Sequence, residues 1–366
     1  MKHIFFPVFL IISLVSNIVS AQKAEEIREY LLKKMQEHQI PGLQLVIVKN
    51  NEIVFSEALG LANLPFSVAA MKSTVFSINS VGKVFTSTAI MQLVERGKLQ
   101  LSDPVSKHLK DFPRDWQDIT VKQLLSHTSG LPDVEAPNGL IGGKDMDTAW
   151  ALLQELPLKN TPGEKFDYIS TNYLLLGKVI EQCSGVPFGQ FIQKSQWDVA
   201  GMSATVYSNS SDVMENKSPT YSYYYQDKVS GEYKKGDRLR ELHEEFPPAL
   251  RTDSGVFSNA EEMAQWIVAL QTGKLLKNKE TLKTMWQPVS LNNGEYGGFG
   301  GIFTAYGLGW PVVQREKHHA VAPIGGGRAS FFIYPDDDLA IVLLTNLMRN
   351  GSYKIIEDVA GFFLED

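Results

Sequence analysis

One long apolar segment, from Ser77 to Lys98, has the spacing of a helix with hydrophobic residues on nearly every face. A helix that is apolar all round is usually buried. Lys83 nevertheless lies in its first turn, and Ser80 lies three residues earlier, so that both side chains share one helical face. Because a buried ammonium is expensive to desolvate, the pattern predicts that Lys83 has a partner or a chemical task.

Alternating hydrophobic positions predict β-hairpins close to both ends of the chain. The segment LQLVIVKNNEIVFSEALG has two β-rich runs around Asn50-Asn51, residues that tolerate the positive φ of a tight turn. A second hairpin is predicted where ASFFIYP and LAIVLLTN flank Asp336-Asp337-Asp338. An antiparallel sheet assembled from both ends of the chain explains this order better than alternating βα units.

The middle of the chain is predicted to be mostly helical. Thr120 and Gln123 form a capping box ahead of VKQLL, and Asp147 opens a helix that Pro157 stops. YLLLGKVIEQC is another helix. The Tyr-rich segment TYSYYYQDKVSGEYKKGDRLRELHEEF is compatible with either a strand pair or a lid.

Two further helices are predicted at the ends: KAEEIREYLLKKMQEH, and a closing helix from about Tyr353 to Leu364. The whole pattern indicates an α/β fold with one domain over residues 22–366. Its sheet region covers about 22–100 and 260–366, and a helical insertion covers about 101–259.

Residues 1–21 have the pattern of a signal peptide. Lys2 and His3 precede the apolar run from Ile4 to Val15, and Val19-Ser20-Ala21 resembles a cleavage site. This predicts an exported protein, with an uncleaved anchor as the alternative. No later segment reaches about 18 uninterrupted apolar residues, so an integral membrane protein is not expected.

Composition excludes several other classes of protein. The chain has 366 residues, 43% of them hydrophobic, and a net charge of −6 with scattered Lys and Arg, which disfavours nucleic acid as a partner. Cys183 is the only cysteine, so no intrachain disulfide forms, and we expect it to end a helix as a small buried hydrophobe. His243-Glu244 is followed by Pro247 where a zinc protease has a second His, and His318-His319 lacks a third ligand. No metal or organic cofactor is therefore predicted.

Ser80 and Lys83 have the residue types of a nucleophile and its base. A serine hydroxyl is a weak nucleophile, so an acyl-transfer enzyme places a base within hydrogen-bonding reach of it. Burial disfavours an ammonium, which leads us to expect a lowered pKa for Lys83. In PGEKFDYISTNYLLLGKVI, Tyr168 and Ser170 point the same way ahead of a helix, and Tyr168 is a candidate proton relay. His127, in SHTSGLPD, is expected to form a structural turn.

Several motifs in order resemble the serine β-lactamases, penicillin-binding proteins and related esterases, most closely the class C type. The resemblance runs through FSINSVGKVFTSTAIMQLVERGKL, LLSHTSGLPD, PGEKFDYISTNYLLLGKVIE, TDSGVFSNAEEMAQW, YGLGW and GGGRASFFIYPDDDLAIVLLTN. It implies that Ser80 is acylated, that Lys83 activates it and that Tyr168 is the tyrosine of the second motif. It also implies a β-lactamase-like fold with a helical insertion.

At two positions the sequence differs from the motifs of this family, and both differences bear on which class of substrate is expected. Ser170 replaces the usual Asn of Tyr-x-Asn, and Pro323-Ile324-Gly325 stands where Lys-Thr-Gly or His-x-Gly is usual. The family's cation helps to hold a substrate carboxylate, and Arg328 is the candidate replacement. The oxyanion hole is expected from the backbone N–H of Ser80 and one from the strand after Gly326.

Together these features predict an exported, periplasmic or secreted bacterial serine hydrolase that acts on esters, amides or D-amino peptides. Ser80, Lys83 and Tyr168 are the expected catalytic residues, and Ser170, Gly325, Gly326 and Arg328 the expected substrate contacts. The alternatives are a true β-lactamase and an inactive relative that binds peptidoglycan-like peptides. The oligomeric state stays open.

Overall fold

The computed structural model describes residues 19–110, 112–136, 139–143, 145–227 and 233–365. The predicted signal peptide therefore lies almost entirely outside the described residues. Within the ranges that are described, no helix combines the length and apolarity needed to cross a bilayer.

Within the described residues, the strands form one large antiparallel sheet and three small ones. They are β1 (Gly42–Lys49), β2 (Glu52–Asn63), β3 (Val68–Ala69), β4 (Phe76–Ser77), β5 (Glu135–Ala136), β6 (Gly139–Leu140), β7 (Val206–Tyr207), β8 (Thr220–Gln226), β9 (Tyr233–Leu242), β10 (Val256–Ser258), β11 (Ala305–Tyr306), β12 (Pro311–Val313), β13 (Ala320–Val321), β14 (Ile324–Gly325), β15 (Ala329–Tyr334) and β16 (Leu339–Thr345). The large sheet has the order β11-β12-β13-β15-β16-β1-β2-β3, with β14 paired to β15. The small sheets are β4-β10-β7, β5-β6 and β8-β9, so the Tyr-rich segment is a strand pair.

Pairing between β1 and β16 joins the two ends of the chain in this sheet, as the hydrophobic pattern predicted. Leu43 faces Thr345 and Lys49 faces Leu339 across the pair. The turn between β1 and β2 has φ values of 53° at Asn50 and 63° at Asn51. The predicted hairpin turn and the split antiparallel sheet are both confirmed.

Helices surround the sheet, and most of them follow the predicted pattern. They are α1 (Ala21–His38), α2 (Lys83–Glu95), α3 (Val121–Leu125), α4 (Met146–Gln154), α5 (Ser170–Ser184), α6 (Phe188–Ile192), α7 (Asp198–Ala200), α8 (Ala260–Gln271), α9 (Lys279–Trp286) and α10 (Ser352–Ala360). The capping box of Thr120 and Gln123 is confirmed. Asp147 as the opening residue of α4 is wrong: Asp145 caps the helix, because its carboxylate reaches the free backbone N–H groups of Asp147 and Thr148.

Alternating side chains of β1 divide the hydrophobic core between the two faces of the sheet. Leu45 and Ile47 belong to a cluster that includes residues of α1 and α10. Val46 and Val48 belong to the larger cluster, with residues of α2, α5 and α8. A strand with one buried face alternates hydrophobic and polar residues, whereas β1 is hydrophobic on both faces because helices cover both sides. The sheet thus supports α2, which begins at Lys83, and Ser80 lies in the turn just before it.

Candidate active site

Ser80 lies where strand β4 gives way to helix α2. Asn79 takes a left-handed conformation with φ of 48°, which Asn adopts more readily than most residues. A 3₁₀ segment then runs from Asn79 to Gly82, and α2 begins at Lys83. The helix predicted from Ser77 to Lys98 is therefore shorter, because the left-handed turn at Asn79 interrupts it.

Lys83 has a buried carboxylate partner, Asp253, which lies 170 residues away in the sequence. Its Nζ lies 3.4 Å from Asp253 Oδ2 and 3.4 Å from the Asp253 carbonyl oxygen, and both side chains are 4% exposed. Helix α2 also holds this segment through Thr86, whose hydroxyl donates to the carbonyl oxygen of Thr252. The predicted partner of the buried ammonium is thus a residue that the sequence reasoning did not identify.

The charge of Asp253 reverses the expected pKa shift of Lys83. Burial alone lowers the pKa of the Lys83 ammonium, but the Asp253 carboxylate and the interaction with Tyr168 outweigh it and raise the pKa above its ordinary value. The prediction of a lowered pKa is therefore wrong, because it considered burial without the carboxylate. Lys83 is an ammonium at neutral pH.

Tyr168 lies beside the Lys83 ammonium, as the second motif requires. Lys83 Nζ is 4.7 Å from the centroid of the Tyr168 ring and 5.2 Å from that of Tyr173. The His127 ring packs behind Tyr168 at a centroid distance of 4.3 Å. His127 is fully buried in a left-handed turn with φ of 55°, and its Nδ1 accepts from the backbone N–H of Ile169 at 3.3 Å.

His127 supports the tyrosine as an uncharged imidazole. Burial, with the nearby Lys83 charge, holds the pKa of His127 well below its usual range. The imidazole is therefore neutral at pH 7, and the expected structural turn is confirmed. Its packing against Tyr168 was not predicted, because 41 residues separate the two and neither motif indicates the contact.

Ser170 begins helix α5, with its hydroxyl turned toward a carboxylate. The hydroxyl donates to Glu135 Oε2, and the Ser170 backbone N–H donates to Asp133 Oδ1 at 3.1 Å. Ser170 is 9% exposed and is not among the residues lining the crevice at Ser80. Tyr168 lines the crevice and Ser170, two residues later, does not; its hydroxyl is bonded instead to Glu135, a residue that the sequence reasoning missed.

Strand β14 brings the altered third motif directly against Ser80. A Cβ added to Gly325 would lie 2.1 Å from the carbonyl oxygen of Ile78 and 3.1 Å from the backbone nitrogen of Ser80, so only glycine fits. Gly326 follows with φ of 55°. The alignment of Pro323-Ile324-Gly325 with the third motif therefore agrees with the geometry, since Pro323 and Ile324 line the same crevice as Ser80.

Arg328 is linked to Ser80 by a series of hydrogen bonds through Glu244 and Asn79. Its Nη2 donates to Ser77 Oγ at 2.8 Å and pairs with Glu244 Oε2, and its side chain is 1% exposed. Glu244 Oε1 accepts from Asn79 Nδ2 at 3.1 Å. Asn79 Oδ1 in turn accepts from the backbone N–H of Ser80 at 2.8 Å. Through these hydrogen bonds Arg328 orients Asn79 by way of Glu244. The Ser80 N–H can bind an oxyanion only after its hydrogen bond to Asn79 Oδ1 is broken.

Replacing Arg328 by Met is expected to lower stability rather than to weaken binding of anionic substrates. The change removes charge-assisted hydrogen bonds to Ser77 and Glu244, which are worth about 1.5–3 kcal/mol each. We expect the melting temperature to fall by roughly 5 °C or more. Arg28→Met, at a pair in which Arg28 is 45% exposed, is the control and should change little. An unchanged melting temperature with a raised KM for carboxylate-bearing esters alone would contradict this assignment.

A narrow, mostly apolar crevice opens beside Ser80. It has a volume of about 10 Å³, and its lining residues are Ser80, Lys83, Tyr168, Phe299, Tyr306, Gly309, Pro311, Pro323 and Ile324. Lys83 is the single cation in this lining, and Asp253 already pairs with it. The crevice as the structure describes it therefore presents no unpaired cation to a substrate carboxylate.

The other histidines that the structure describes, and the cysteine, lie away from this crevice. Within the described residues, no group of three or more His, Cys, Asp or Glu is arranged to hold a metal ion. His243 pairs with Glu241. Glu244, the residue after His243 in the rejected zinc motif, pairs with Arg328. Cys183 ends α5 as expected but is only partly buried, with its Sγ 3.4 Å from His108 Nδ1.

Comparison with known sequences supports the interpretation of these motifs. The family model described as Beta-lactamase matches residues 27–361. The chain is 31% identical over 310 residues to the Bacillus subtilis protein named "Putative penicillin-binding protein PbpX", covering 84% of this chain and 71% of that protein. It is 27% identical over 348 residues to Protein flp of Staphylococcus aureus strain N315, covering 92% of this chain. The chain spans only about 65% of the length of Protein flp.

Solved structures share the fold over nearly the whole chain. The penicillin-binding protein from Bacillus halodurans has a TM-score of 0.72 at 25% identity, covering 91% of this chain and 99% of that chain. EstCE1, titled a hydrolase with promiscuous acyltransferase activity, has a TM-score of 0.74 at 23% identity, covering 92% and 98%. The predicted mixed α/β fold, with its antiparallel sheet flanked by helices, is confirmed.

Proposed function

Because the chain belongs to the beta-lactamase family, we propose that it is an exported serine hydrolase that forms an acyl-enzyme on Ser80. The observation that carries the proposal is the cluster at the start of α2. There, Ser80 precedes a buried Lys83–Asp253 pair, and Tyr168 lies against the Lys83 ammonium.

The chemistry of this cluster follows from its charges. In the reacting state Tyr168 is a phenolate beside the Lys83 ammonium; Ser80 Oγ bonds to the carbonyl carbon of an ester or amide, the carbonyl π electrons move onto its oxygen, and the Ser80 proton passes to the Tyr168 oxygen. Lys83, held as an ammonium by Asp253, stabilises the negative charge that develops during this transfer. Tyr168 then protonates the leaving alcohol or amine, and water later releases the acyl group by the reverse transfers. Lys83 thus acts through its charge, and Tyr168 moves the proton.

The lining of the crevice favours uncharged substrates. Pro323 and Ile324 occupy the positions where the family usually carries a cation, and Arg328 is bonded to Ser77 and Glu244. A carboxylate that loses its hydration needs a charged partner to offset the cost. Neutral esters and amides have no such requirement, so we rank them above β-lactams. The structural neighbour EstCE1, titled a hydrolase with promiscuous acyltransferase activity, supports hydrolase chemistry in general by analogy.

Export and location in the periplasm or the medium belong to the same proposal. They rest on the signal-peptide pattern of residues 1–21 and on similarity to proteins named penicillin-binding proteins. Gly325 and Gly326 are proposed as substrate neighbours, and the close approach of Gly325 to the Ser80 backbone supports this proposal. Ser170 contacts a substrate on this proposal only if its hydroxyl leaves Glu135, to which it donates.

The pH dependence of acylation distinguishes a charged Lys83 from a neutral base. Since the pKa of Lys83 is raised, the ammonium persists below its ordinary pKa of about 10.4 and is lost only above it. Between pH 6 and 9.5 we therefore expect no increase in the acylation rate that arises from deprotonation of Lys83. The rate of fluorophosphonate labelling in wild type and Lys83→Arg measures this, because an arginine keeps its charge throughout. A rise in rate between pH 7 and 9 that Lys83→Arg abolishes would show that neutral Lys83 is the base.

The ratio of two activities tests the substrate class. We expect the value of kcat/KM for p-nitrophenyl acetate to exceed that for a chromogenic cephalosporin by at least about 100-fold, because the crevice lacks a carboxylate anchor. A cephalosporin that is hydrolysed at least as well as the ester would identify a true β-lactamase. Turnover of neither substrate, by protein that folds normally, would favour the inactive peptide-binding alternative.

A further inference from the structure

Phe299 covers the mouth of the crevice at Ser80. Its ring packs against Tyr168 at a centroid distance of 5.0 Å and against Tyr306 at 5.9 Å. It lines the crevice together with Ser80 and Lys83, yet 42% of its surface is exposed to solvent. A large apolar side chain that is half in water at a catalytic opening has space to move outward.

The crevice is too small for a substrate while Phe299 covers it. Its volume of about 10 Å³ is on the order of the space that one water molecule needs. The acyl group of any ester bound to Ser80 must occupy this space. Lys83 and Tyr168 are tied to Asp253 and His127, and Pro323 lies in the sheet region, so Phe299 is the exposed wall.

Close packing holds the backbone around Phe299 in place, so the Phe299 side chain is the part that can change conformation. A Cβ on Gly297 would lie 2.3 Å from Phe166 Cβ, and a Cβ on Gly298 would lie 2.5 Å from the carbonyl oxygen of Phe303. The contact of Gly297 holds the segment against the loop that carries Tyr168, and the contact of Gly298 packs the segment against its own following turn. Asn292 adds hydrogen bonds to Gly163 and Pro162 of that loop. Rotation of one aromatic side chain is a far smaller change than displacement of the whole segment.

We propose that Phe299 is an aromatic gate that limits the acyl group of the substrate to a short, uncharged chain. This inference rests on the proposed function and adds to it a preference for one class of acyl group. A short acyl group fits after a small outward rotation of the ring. A long chain requires the ring to leave Tyr168 and Tyr306 altogether, and a charged chain meets apolar walls formed by Phe299, Pro323 and Ile324.

The test compares p-nitrophenyl acetate with p-nitrophenyl octanoate in wild type, Phe299→Ala and Tyr296→Ala. Tyr296 is the matched control, because it is an aromatic residue of the same segment with 48% exposure and does not line the crevice. We expect Phe299→Ala to raise the octanoate-to-acetate ratio of kcat/KM by at least tenfold, since methylene groups gain a place to bind. Tyr296→Ala should leave the ratio within about twofold of wild type.

Labelling with short-chain and long-chain fluorophosphonates separates failure of the gate from failure of the proposed function. If wild type is labelled on Ser80 and the chain-length ratio is the same in Phe299→Ala, the gate is wrong while the hydrolase stands. If neither the esters nor the fluorophosphonates react with folded wild type, the proposed function fails and the gate fails with it. An equal change of the ratio in Tyr296→Ala would also overturn the assignment to Phe299.

Discussion

Replacing Lys83 by Ala is expected to slow acylation of Ser80 by about three orders of magnitude. The variant removes the ammonium 4.7 Å from the Tyr168 ring and leaves no charge to stabilise the proton transfer. Stopped-flow measurement of the nitrophenol burst, or the rate of fluorophosphonate labelling, gives the acylation rate directly. Equal rates in wild type and Lys83→Ala would remove Lys83 from the mechanism.

One further variant, together with thermal unfolding, distinguishes loss of charge from loss of folding in that experiment. Lys83→Arg retains a cation that cannot act as a base, so on this account it keeps more activity than Lys83→Ala. Lys83→Ala also leaves Asp253 as a buried carboxylate without its partner. Thermal unfolding of each variant therefore accompanies the kinetics, and the rates are compared at a temperature where all are folded.

Replacing Asp253 by Asn is expected to cost about 3–5 kcal/mol of unfolding free energy, because it strands the Lys83 ammonium in the core. Both side chains are 4% exposed, so water cannot replace the lost carboxylate. The raised pKa of Lys83 fixes the sign: the pair contributes stability below the unfolded lysine pKa and loses it only as pH rises through the folded value. Denaturant unfolding at pH 7 measures the effect.

A double variant and a surface pair complete that experiment. Lys83→Met combined with Asp253→Asn removes both charges, and we expect most of the lost stability to return. Glu280→Gln at the exposed Lys283–Glu280 pair is the control and should leave the free energy of unfolding essentially unchanged. A loss of less than 1 kcal/mol in Asp253→Asn would show that the buried pair does not stabilise the fold.

Local pattern was enough to predict much of the fold. The alternating hydrophobic residues on either side of Asn50 and Asn51 indicate a hairpin without reference to the rest of the chain. The capping box at Thr120 is likewise a local feature. The resemblance then placed Ser80 and Lys83, and the structure brings both to one crevice. These features depend on residues within a few positions of one another.

The environment of Lys83 depends on tertiary contacts that no local pattern contains. Asp253 lies 170 residues from Lys83, and the requirement for a carboxylate partner does not say which of the 41 acidic residues supplies it. The pKa prediction failed for this reason, since burial and pairing act in opposite directions. Phe299 shows no helical or strand period, and only the folded chain brings its glycine-rich segment against Tyr168.

Intact-mass measurement after incubation with a fluorophosphonate shows whether Ser80 is an activated nucleophile, because the reagent reacts with activated serines whatever their natural substrate. We expect one adduct on wild type and none on Ser80→Ala, with Ser170→Ala labelled like wild type. The absence of an adduct on folded wild type, or an adduct that persists in Ser80→Ala, would contradict the assignment of Ser80 as the nucleophile.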